Sequence, residues 1–183
     1  MRDKKFLLLV IGVLFVLVTF FLGKDSINPQ ESLLGEKERE TFRVIKVIDG
    51  DTIQVLVGGK KETVRLIGID TPDTVDPKME VECFGKEASD KMKSLLNDKS
   101  VVLKNDPNVS ERDKYGRLLR YIFLKDDTNV NKLMIQEGYA HEYTYESNPY
   151  KYQSEFRLAE KKAQDQKKGL WTGLKPSSCS KDK

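Results

Sequence analysis

The sequence has few of the side chains on which thiol and imidazole chemistry depends. Its 183 residues include two cysteines and one histidine. A zinc site made of Cys and His takes about four such ligands, so this composition excludes one. A Cys–His protease would have to use His141, which stands beside Glu142 in a tyrosine-rich stretch and is interpreted as a surface residue. In an oxidising compartment Cys83 and Cys179 can pair, which the sequence alone does not decide.

The sequence also lacks an excess of charge of one sign. The formal net charge is +3, and beyond the charged residues that precede the first apolar run the balance is 29 basic against 28 acidic residues. Domains that bind nucleic acid normally carry a basic surface. Composition therefore gives no global reason to expect nucleic acid as a partner, and such a function has to depend on local sites. Length and composition fit one globular domain with attachments.

One long uncharged run is present, at residues 6–22, and Arg2, Lys4 and Lys5 precede it. As a helix it would be about 26 Å long, near the lower limit for crossing a bilayer. Its basic flank predicts that the rest of the chain lies outside the cytoplasm. The run is either a cleaved signal peptide or a retained membrane anchor, and the lack of a small-x-small cleavage site favours the anchor.

Changes of composition predict four segments along the chain. A polar stretch with Pro29 and Gly35 follows the apolar run and is typical of a tether. The predicted segments are a signal peptide or anchor at 1–23, a tether at 24–40, a folded domain at 41–175 and a flexible tail at 176–183.

The periodicity of apolar residues predicts five strands and three helices in the folded domain. The strands are a run that opens at 42–45, then 52–57, 62–69, 101–103 and 118–124; the helices are 84–96, 129–138 and 153–168. Two glycines at 58–59 indicate a two-residue hairpin turn between the second and third strands. Short strands with interspersed helices predict a small α+β fold built on a barrel.

Acidic residues meet at one end of the predicted hairpin. If residues 58–59 form the turn, Asp51 faces Leu66, and Asp70 lies just beyond. Two carboxylates that converge on one point repel each other unless a cation lies between them. Carboxylate and carbonyl oxygens are suitable ligands for Ca²⁺ or Mg²⁺. Taken singly, each of the two turns that carry these aspartates is an ordinary turn sequence.

Two arginines complete the candidate site. The predicted hairpin pairs Arg65 with Thr52 inside an apolar run, where an arginine usually has a buried partner. Arg117 follows the turn 113–116 at the head of a strand. Guanidinium groups match the geometry of phosphate oxygens and stabilise the negative charge that develops when a phosphodiester is cleaved. Two arginines and a metal ion near one site therefore favour phosphodiester cleavage.

Five segments resemble the staphylococcal nuclease, or thermonuclease, family: VIDGDT (47–52), VRLIGIDTPD (64–73), FGKEAS (84–89), DKYGR (113–117) and GLW (169–171). They keep the family's order and approximate spacing over nearly the whole predicted domain. The resemblance implies an α+β fold, a five-stranded OB-like β-barrel with three helices, here preceded by an N-terminal apolar helix. It also implies a Ca²⁺-dependent endonuclease that hydrolyses single-stranded or locally opened DNA and RNA and leaves 3′-phosphate ends.

The resemblance assigns roles to residues by matched position. Asp51 and Asp70 would bind calcium through their side chains, and Thr71 through its backbone carbonyl. Arg65 and Arg117 would hold the scissile phosphate and stabilise its added negative charge. The residues that match the nucleotide pocket are Lys114, Tyr115, Tyr143 and Tyr145. The last two match across a gap, so packing within the barrel is an alternative for them, although tyrosine rings can also stack on bases.

One position departs from the family's pattern. After Thr-Pro the family usually has a glutamate, which is assigned to the attacking water, and this chain has Asp73. Aspartate keeps the charge but is one methylene shorter, and a difference of about 1 Å in reach can matter greatly for positioning a reactant. Glu80 and Glu82 in the following loop are alternatives for the role.

Two hypotheses compete with an enzyme. A non-catalytic OB-type module that binds extracellular nucleic acid would be favoured by loss of Asp51, Arg65 or Arg117, and all three are present. An anchored protein-interaction domain has no supporting feature beyond the apolar run. The sequence therefore predicts an extracytoplasmic nuclease with a nucleic acid substrate. It predicts membrane contact through 6–22 if that run is uncleaved, and it implies no protein partner.

Overall fold

A closed five-stranded barrel forms the centre of the fold, as the sequence predicts. The structure is a computed structural model that describes residues 39–73 and 83–173. Its strands are β1 (Phe42–Asp49), β2 (Thr52–Val57), β3 (Lys60–Leu66), β4 (Ile69–Asp70), β5 (Ser100–Lys104), β6 (Leu118–Phe123) and β7 (His141–Glu142). The order around the barrel is β1-β2-β3-β6-β5, and β5 pairs with β1 to close it. β4 and β7 form a separate two-stranded ribbon.

Three α-helices accompany the barrel: α1 (Gly85–Leu96), α2 (Val130–Gln136) and α3 (Gln153–Asp165). Helix α1 begins one residue later than predicted because Phe84 has a left-handed conformation, with φ of 76°. The Asn129 side chain caps α2 by accepting the Lys132 N–H at 3.1 Å. Helix α3 is shorter than the predicted 153–168, since Lys167 has φ of 52° and the chain then forms a 3-10 helix at Gly169–Trp171.

The turn at 58–59 sets the register of β2 against β3. Thr52 pairs with Arg65, as the two-residue turn predicts. The predicted strand 62–69 is interrupted, however, because Gly68 has φ of 77° and turns the chain after Leu66. Ile69 and the residue after it then leave the barrel and pair with β7. This change of direction places Asp70 on the ribbon instead of on a barrel strand.

The core lies where the barrel interior meets the helices. Fully buried side chains come from the strands at Ile53, Val55, Val64 and Ile122, and from the helices at Met92, Leu96, Met134, Ile135 and Phe156. Burial of each such side chain stabilises the fold by about 1.5–3 kcal/mol. This packed core supports the ends of the barrel strands, where the polar residues begin.

Several predictions concern residues that lie outside the described ranges. They are the apolar run 6–22, the tether up to residue 38, the glutamates at 80 and 82, and the tail 176–183. Among the residues that are described, no helix is both long enough and apolar enough to cross a bilayer. Cys83 is disulfide-bonded, while Cys179 is outside the described part.

Candidate active site

Arg65 lies at the centre of the candidate site, at the end of β3. Its Nη1 donates hydrogen bonds to the carbonyl oxygens of Leu66 at 3.0 Å and Ile69 at 2.7 Å. Its Nη2 donates to Asp70 Oδ1 at 2.7 Å and lies 3.0 Å from Asp51 Oδ2. The side chain is only 14% exposed. Arg65 therefore has the buried partners expected of an arginine in an apolar run, and one of its nitrogens bridges two carboxylates.

The buried residue Asp51 joins the β1–β2 turn to the segment that follows β4. Its Oδ1 accepts the Thr52 hydroxyl at 2.8 Å, and its Oδ2 accepts the Thr71 N–H at 3.1 Å. The close approach requires Gly50, because a Cβ there would lie 2.8 Å from Thr71 Oγ1. Asp51, Asp70 and Thr71 thus meet at the same end of the hairpin.

Asp70 lies among charges of both signs. Burial raises the pKa of Asp70, Arg65 and His141 lower it, and the charges of Asp51 and Asp73 raise it, so that the net pKa lies above the ordinary value of 3.8. Asp73 is exposed but close enough to act on Asp70. Three carboxylates beside one guanidinium leave an excess of negative charge that a bound cation would offset.

The oxygen donors gathered here fit a calcium ion. Within 39–73 and 83–173, no three His, Cys, Asp or Glu side chains form a complete set of metal ligands. Calcium does not need such a set, since it takes six to eight oxygens, and carbonyl groups and water commonly supply several of them. Two converging carboxylates beside the Thr71 backbone are therefore donors of the kind that a hard cation binds.

Arg117 shares a face of the barrel with Arg65 because β3 and β6 run parallel. Val64 pairs with Leu118 and Arg65 pairs with Leu119. Arg117 immediately precedes β6, so it falls two residues behind Arg65 on the same face, roughly 7 Å away along the strand direction. The parallel pairing thus brings together the two arginines that the sequence singles out.

Asp113 holds the Arg117 side chain and was not singled out from the sequence. Its Oδ2 accepts Arg117 Nε at 2.6 Å, and its Oδ1 accepts the backbone N–H groups of Tyr115 and Arg117, both at 2.9 Å. Burial alone would raise the pKa of Asp113, but these hydrogen bonds hold it below the ordinary value of 3.8. Within the described residues, the two terminal nitrogens of Arg117 form no hydrogen bond. Asp113 therefore fixes one edge of the guanidinium and leaves the other for a ligand.

The four predicted pocket residues lie on the surface near this loop. Tyr115, Tyr143 and Tyr145 are exposed, the first by 72%. Lys114 Nζ is 5.1 Å from the centroid of the Tyr115 ring. The neighbouring Glu146 raises the pKa of Tyr145, whereas the charge of Lys114 lowers it and Tyr143 raises it, so these residues are close to one another. Packing of Tyr143 and Tyr145 within the barrel, the alternative considered from the sequence, is wrong.

Asn131 is a second residue that the sequence analysis missed. It is fully buried on α2, where its Nδ2 donates to Ile67 O at 2.8 Å and its Oδ1 accepts the Ile122 N–H at 2.9 Å. It therefore ties the turn before Asp70 to strand β6. The sequence signal that could have identified Asn131 is an asparagine among the apolar residues of a short predicted helix, because a buried amide needs hydrogen-bond partners.

A closed five-stranded barrel with this strand order defines an OB-like protein. The carboxylates and arginines near its end are of the types suited to a cation and to phosphate. Residues 63–173 match the family described as "Staphylococcal nuclease homologue". The chain belongs to this family.

Curated relatives support the assignment over most of the chain. A thermonuclease of Staphylococcus hyicus is 40% identical over 166 residues, which cover 91% of this chain and 95% of the relative. A thermonuclease of Staphylococcus intermedius is 36% identical over 165 residues, or 90% of this chain and 94% of the relative. Endonuclease YncB of Bacillus subtilis is 42% identical over 138 residues, which cover 75% of this chain and 64% of that protein.

Proposed function

We propose that the protein is a calcium-dependent nuclease that works outside the cytoplasm, hydrolyses DNA and RNA and leaves 3′-phosphate ends. The observation that carries this proposal is the Arg65 guanidinium, which bridges Asp51 and Asp70 on the face that Arg117 shares. Family membership supports nuclease activity, as do relatives named thermonuclease and endonuclease.

Each residue of the site has a defined part in the proposed reaction. Asp51, Asp70 and the Thr71 carbonyl hold the ion, which when bound supplies positive charge beside the phosphate. Arg65 and Arg117 bind the non-bridging phosphate oxygens and stabilise the negative charge added in the transition state. Arg117 is already held through its Nε by Asp113, so its terminal nitrogens can meet a phosphate with little reorganisation. Arg65 Nη2 contacts Asp51 and Asp70, and it has to exchange these contacts for the phosphate when the ion binds the two carboxylates.

Asp73 is the proposed base or positioning group for the attacking water. Its carboxylate accepts a proton or a hydrogen bond from the water as the water oxygen bonds to phosphorus. The bond from phosphorus to the 5′-oxygen then breaks, the departing 5′-oxygen takes a proton from solvent, and the phosphate remains on the 3′-oxygen. Asp73 lies near Asp70, which is consistent with this assignment.

Single-stranded substrate is favoured by the exposed tyrosines around Lys114. Tyr115, Tyr143 and Tyr145 present rings on which unpaired bases can stack, while the ammonium group adds an attraction for phosphate. Bases in a duplex are stacked on each other and offer no free face. Locally opened DNA and RNA are therefore the proposed substrates.

Location outside the cytoplasm rests on the apolar run 6–22 and its basic flank. Protease added to whole or wall-stripped cells should digest the protein, or the protein should be found in the medium. Full protection from protease, with no released form, would contradict the proposed location.

The test of the catalytic proposal is cleavage of a single-stranded oligonucleotide with calcium and with excess chelator. We expect calcium-dependent cleavage, and Asp51→Asn should lower it by about tenfold or more because one ligand charge is lost. Asp90→Asn is the matched control, since Asp90 is an exposed aspartate on α1 that is paired only with lysines. Undiminished cleavage in chelator would exclude the calcium mechanism. Tight binding without cleavage would instead favour the non-catalytic binding module.

A further inference from the structure

The turn between β3 and β4 is held at four consecutive carbonyl oxygens, those of residues 66–69. Arg65 Nη1 donates to the first and the last, and Asn131 Nδ2 donates to the second at 2.8 Å. The third, Gly68 O, accepts the Tyr143 N–H at 3.1 Å and lies 3.3 Å from the Tyr150 hydroxyl. The segment that leads into Asp70 is thus fixed partly by residues of the candidate nucleotide pocket.

Tyr150 is the least expected of these contacts. Its ring covers Gly68 so closely that a Cβ on the glycine would lie 2.6 Å from two ring atoms. The buried hydroxyl donates to Glu142 Oε1 at 2.9 Å. Burial and the carboxylate of Glu142 raise the pKa of Tyr150. The hydroxyl therefore stays protonated at neutral pH and remains a donor.

Glu142 lies on β7, the strand that leads directly into Tyr143 of the candidate nucleotide pocket. It pairs with Ile69 across the ribbon and immediately precedes Tyr143. Its carboxylate also accepts the Thr144 hydroxyl at 2.6 Å. This bond links the two residues that flank Tyr143 in the chain. The hydroxyl of Tyr150 accordingly contacts the turn that leads into β4 and Asp70, at Gly68, and the strand β7 that precedes Tyr143, at Glu142.

We propose that Tyr150, acting through Glu142, is a positioning residue that holds the nucleotide pocket at Tyr143 against the calcium-binding segment at Asp70. The inference rests on the proposed function of this site and adds a residue to it that makes no contact with either ligand. Without the hydroxyl the two strands of the ribbon keep their backbone pairing but lose the side-chain link between the Gly68 turn and Glu142, so their relative position is less firmly fixed. Binding of calcium and of the single strand should then both weaken, while Arg117, which Asp113 holds elsewhere, keeps its place.

The test compares Tyr150→Phe with Tyr152→Phe in the full-length protein. Phenylalanine keeps the ring over Gly68 and the contact with Phe156, and it removes only the hydroxyl. Tyr152 is a suitable control because its ring stacks on the same Phe156 but belongs to the cluster around Tyr121. The measurements are kcat and KM for a single-stranded oligonucleotide, the calcium Kd by calorimetry, and thermal unfolding. Amide hydrogen exchange at residue 143 is measured as well.

We expect Tyr150→Phe to raise KM and the calcium Kd by roughly three- to tenfold, the size of the loss of one ordinary hydrogen bond, because Tyr150 acts on both sites indirectly. Its kcat should stay within roughly twofold, and exchange at residue 143 should become faster than the change in overall stability accounts for. Tyr152→Phe should leave KM, kcat, the calcium Kd and the exchange rate at residue 143 close to those of the unchanged protein.

Two results would overturn the inference. One is a Tyr150→Phe protein with unchanged KM, calcium Kd and exchange; the other is a loss of thermal stability alone, which would give Tyr150 a purely structural role. Absence of cleavage by the unchanged protein would refute the proposed function instead. In that case the calcium Kd and the exchange at residue 143 still decide whether Tyr150 positions the ribbon.

Discussion

The orientation of Arg117 depends on a single neighbouring carboxylate. Asp113 accepts a hydrogen bond from the Nε of Arg117 and two more from the backbone N–H groups of Tyr115 and Arg117. This bond uses one edge of a planar guanidinium and leaves the opposite edge for a bidentate contact with phosphate. A lysine at this position would keep the charge, but it has no planar fork and no second nitrogen with which to satisfy Asp113 at the same time.

We therefore predict that Arg117→Lys lowers kcat by roughly two to three orders of magnitude, since donors to developing charge commonly contribute about 3 kcal/mol or more. The fold should be unchanged by circular dichroism. Arg112→Lys is the control, because Arg112 is an exposed arginine of the same connection, paired with Glu62. Near-normal turnover of Arg117→Lys would remove the bidentate contact from the mechanism.

The side-chain length at position 73 gives a second prediction. Asp73 is exposed, lies near Asp70 and is one methylene shorter than the glutamate usual in the family. We predict that Asp73→Glu speeds cleavage of single-stranded DNA by about tenfold or more while changing calcium affinity little, because small gains in positioning have large effects on rate. The lower reference pKa of aspartate, by about 0.4, is too small a difference to account for such an effect.

A slower Asp73→Glu enzyme would mean that the loop is built around the shorter side chain. Asp73→Ala serves as the companion variant and should be slower than the unchanged protein. If its rate is normal, another group acts on the water, and Glu80 and Glu82 are the first to test.

Among the elements, the turn after β3 leaves no room for a side chain at its glycine. Gly68 combines φ of 77° with the Tyr150 ring directly over it, whereas Gly59 has φ of 80° and open space where a Cβ would lie, with no atom within 4 Å. We predict that Gly59→Ala lowers the free energy of unfolding by about 1 kcal/mol, the cost of a left-handed alanine. Gly68→Ala should lower it by about 3 kcal/mol or more, because overpacking is added to the same strain. Urea unfolding of the two variants measures the difference, and equal losses would show that the ring moves aside freely.

The sequence predicted those elements whose signal is local. The glycine pair at 58–59 determined the hairpin register, so the pairing of Thr52 with Arg65 is confirmed. Helical spacing located α1 to within one residue, and the cap at Asn129 located the start of α2. The five barrel strands and three helices followed because each is long enough to show a period.

Other features depend on contacts between distant residues. β4 and β7 have two residues each, too few for any alternation to be visible, so the sequence predicts one strand over 62–69 with Asp70 just beyond it, and no ribbon. The pairing of Asp113 with Arg117 was hidden inside an ordinary turn sequence, although an aspartate that opens a turn often bonds the backbone beyond it. The role of Tyr150 depends on the approach of Gly68 from 82 residues away, which no local pattern encodes.

For the whole molecule, the pH dependence of stability should reflect Asp106. This buried carboxylate accepts the Lys151 N–H at 2.7 Å, the Asn108 N–H at 2.8 Å and the Tyr121 hydroxyl. Burial alone would raise the pKa of Asp106, but the hydrogen bonds bring it below the ordinary value of 3.8. A carboxylate with a lowered folded pKa stabilises the protein fully above its unfolded pKa and loses that contribution as pH falls through the folded value.

We accordingly predict that Asp106→Asn lowers the free energy of unfolding by about 2 kcal/mol at pH 7, because the amide cannot accept all three bonds. The variant should also lose less stability than the unchanged protein when pH falls from about 4 toward 2. Urea unfolding at stepped pH gives both quantities, with the exposed Asp98→Asn as control. An acid profile identical to that of the unchanged protein would rule out Asp106 as a source of the acid sensitivity.

The parallel contact between β3 and β6 also determines the order in which the molecule can assemble. Residues 67–117 separate the two strands, whereas β1, β2 and β3 are neighbours along the chain. Closing so long a loop carries an entropic penalty, so the local hairpins can form first and the parallel contact later. During synthesis on the ribosome, Asp51, Arg65 and Asp70 emerge well before Arg117. The proposed catalytic centre therefore stays incomplete until the segment that carries Arg117 has been made and β6 has paired with β3.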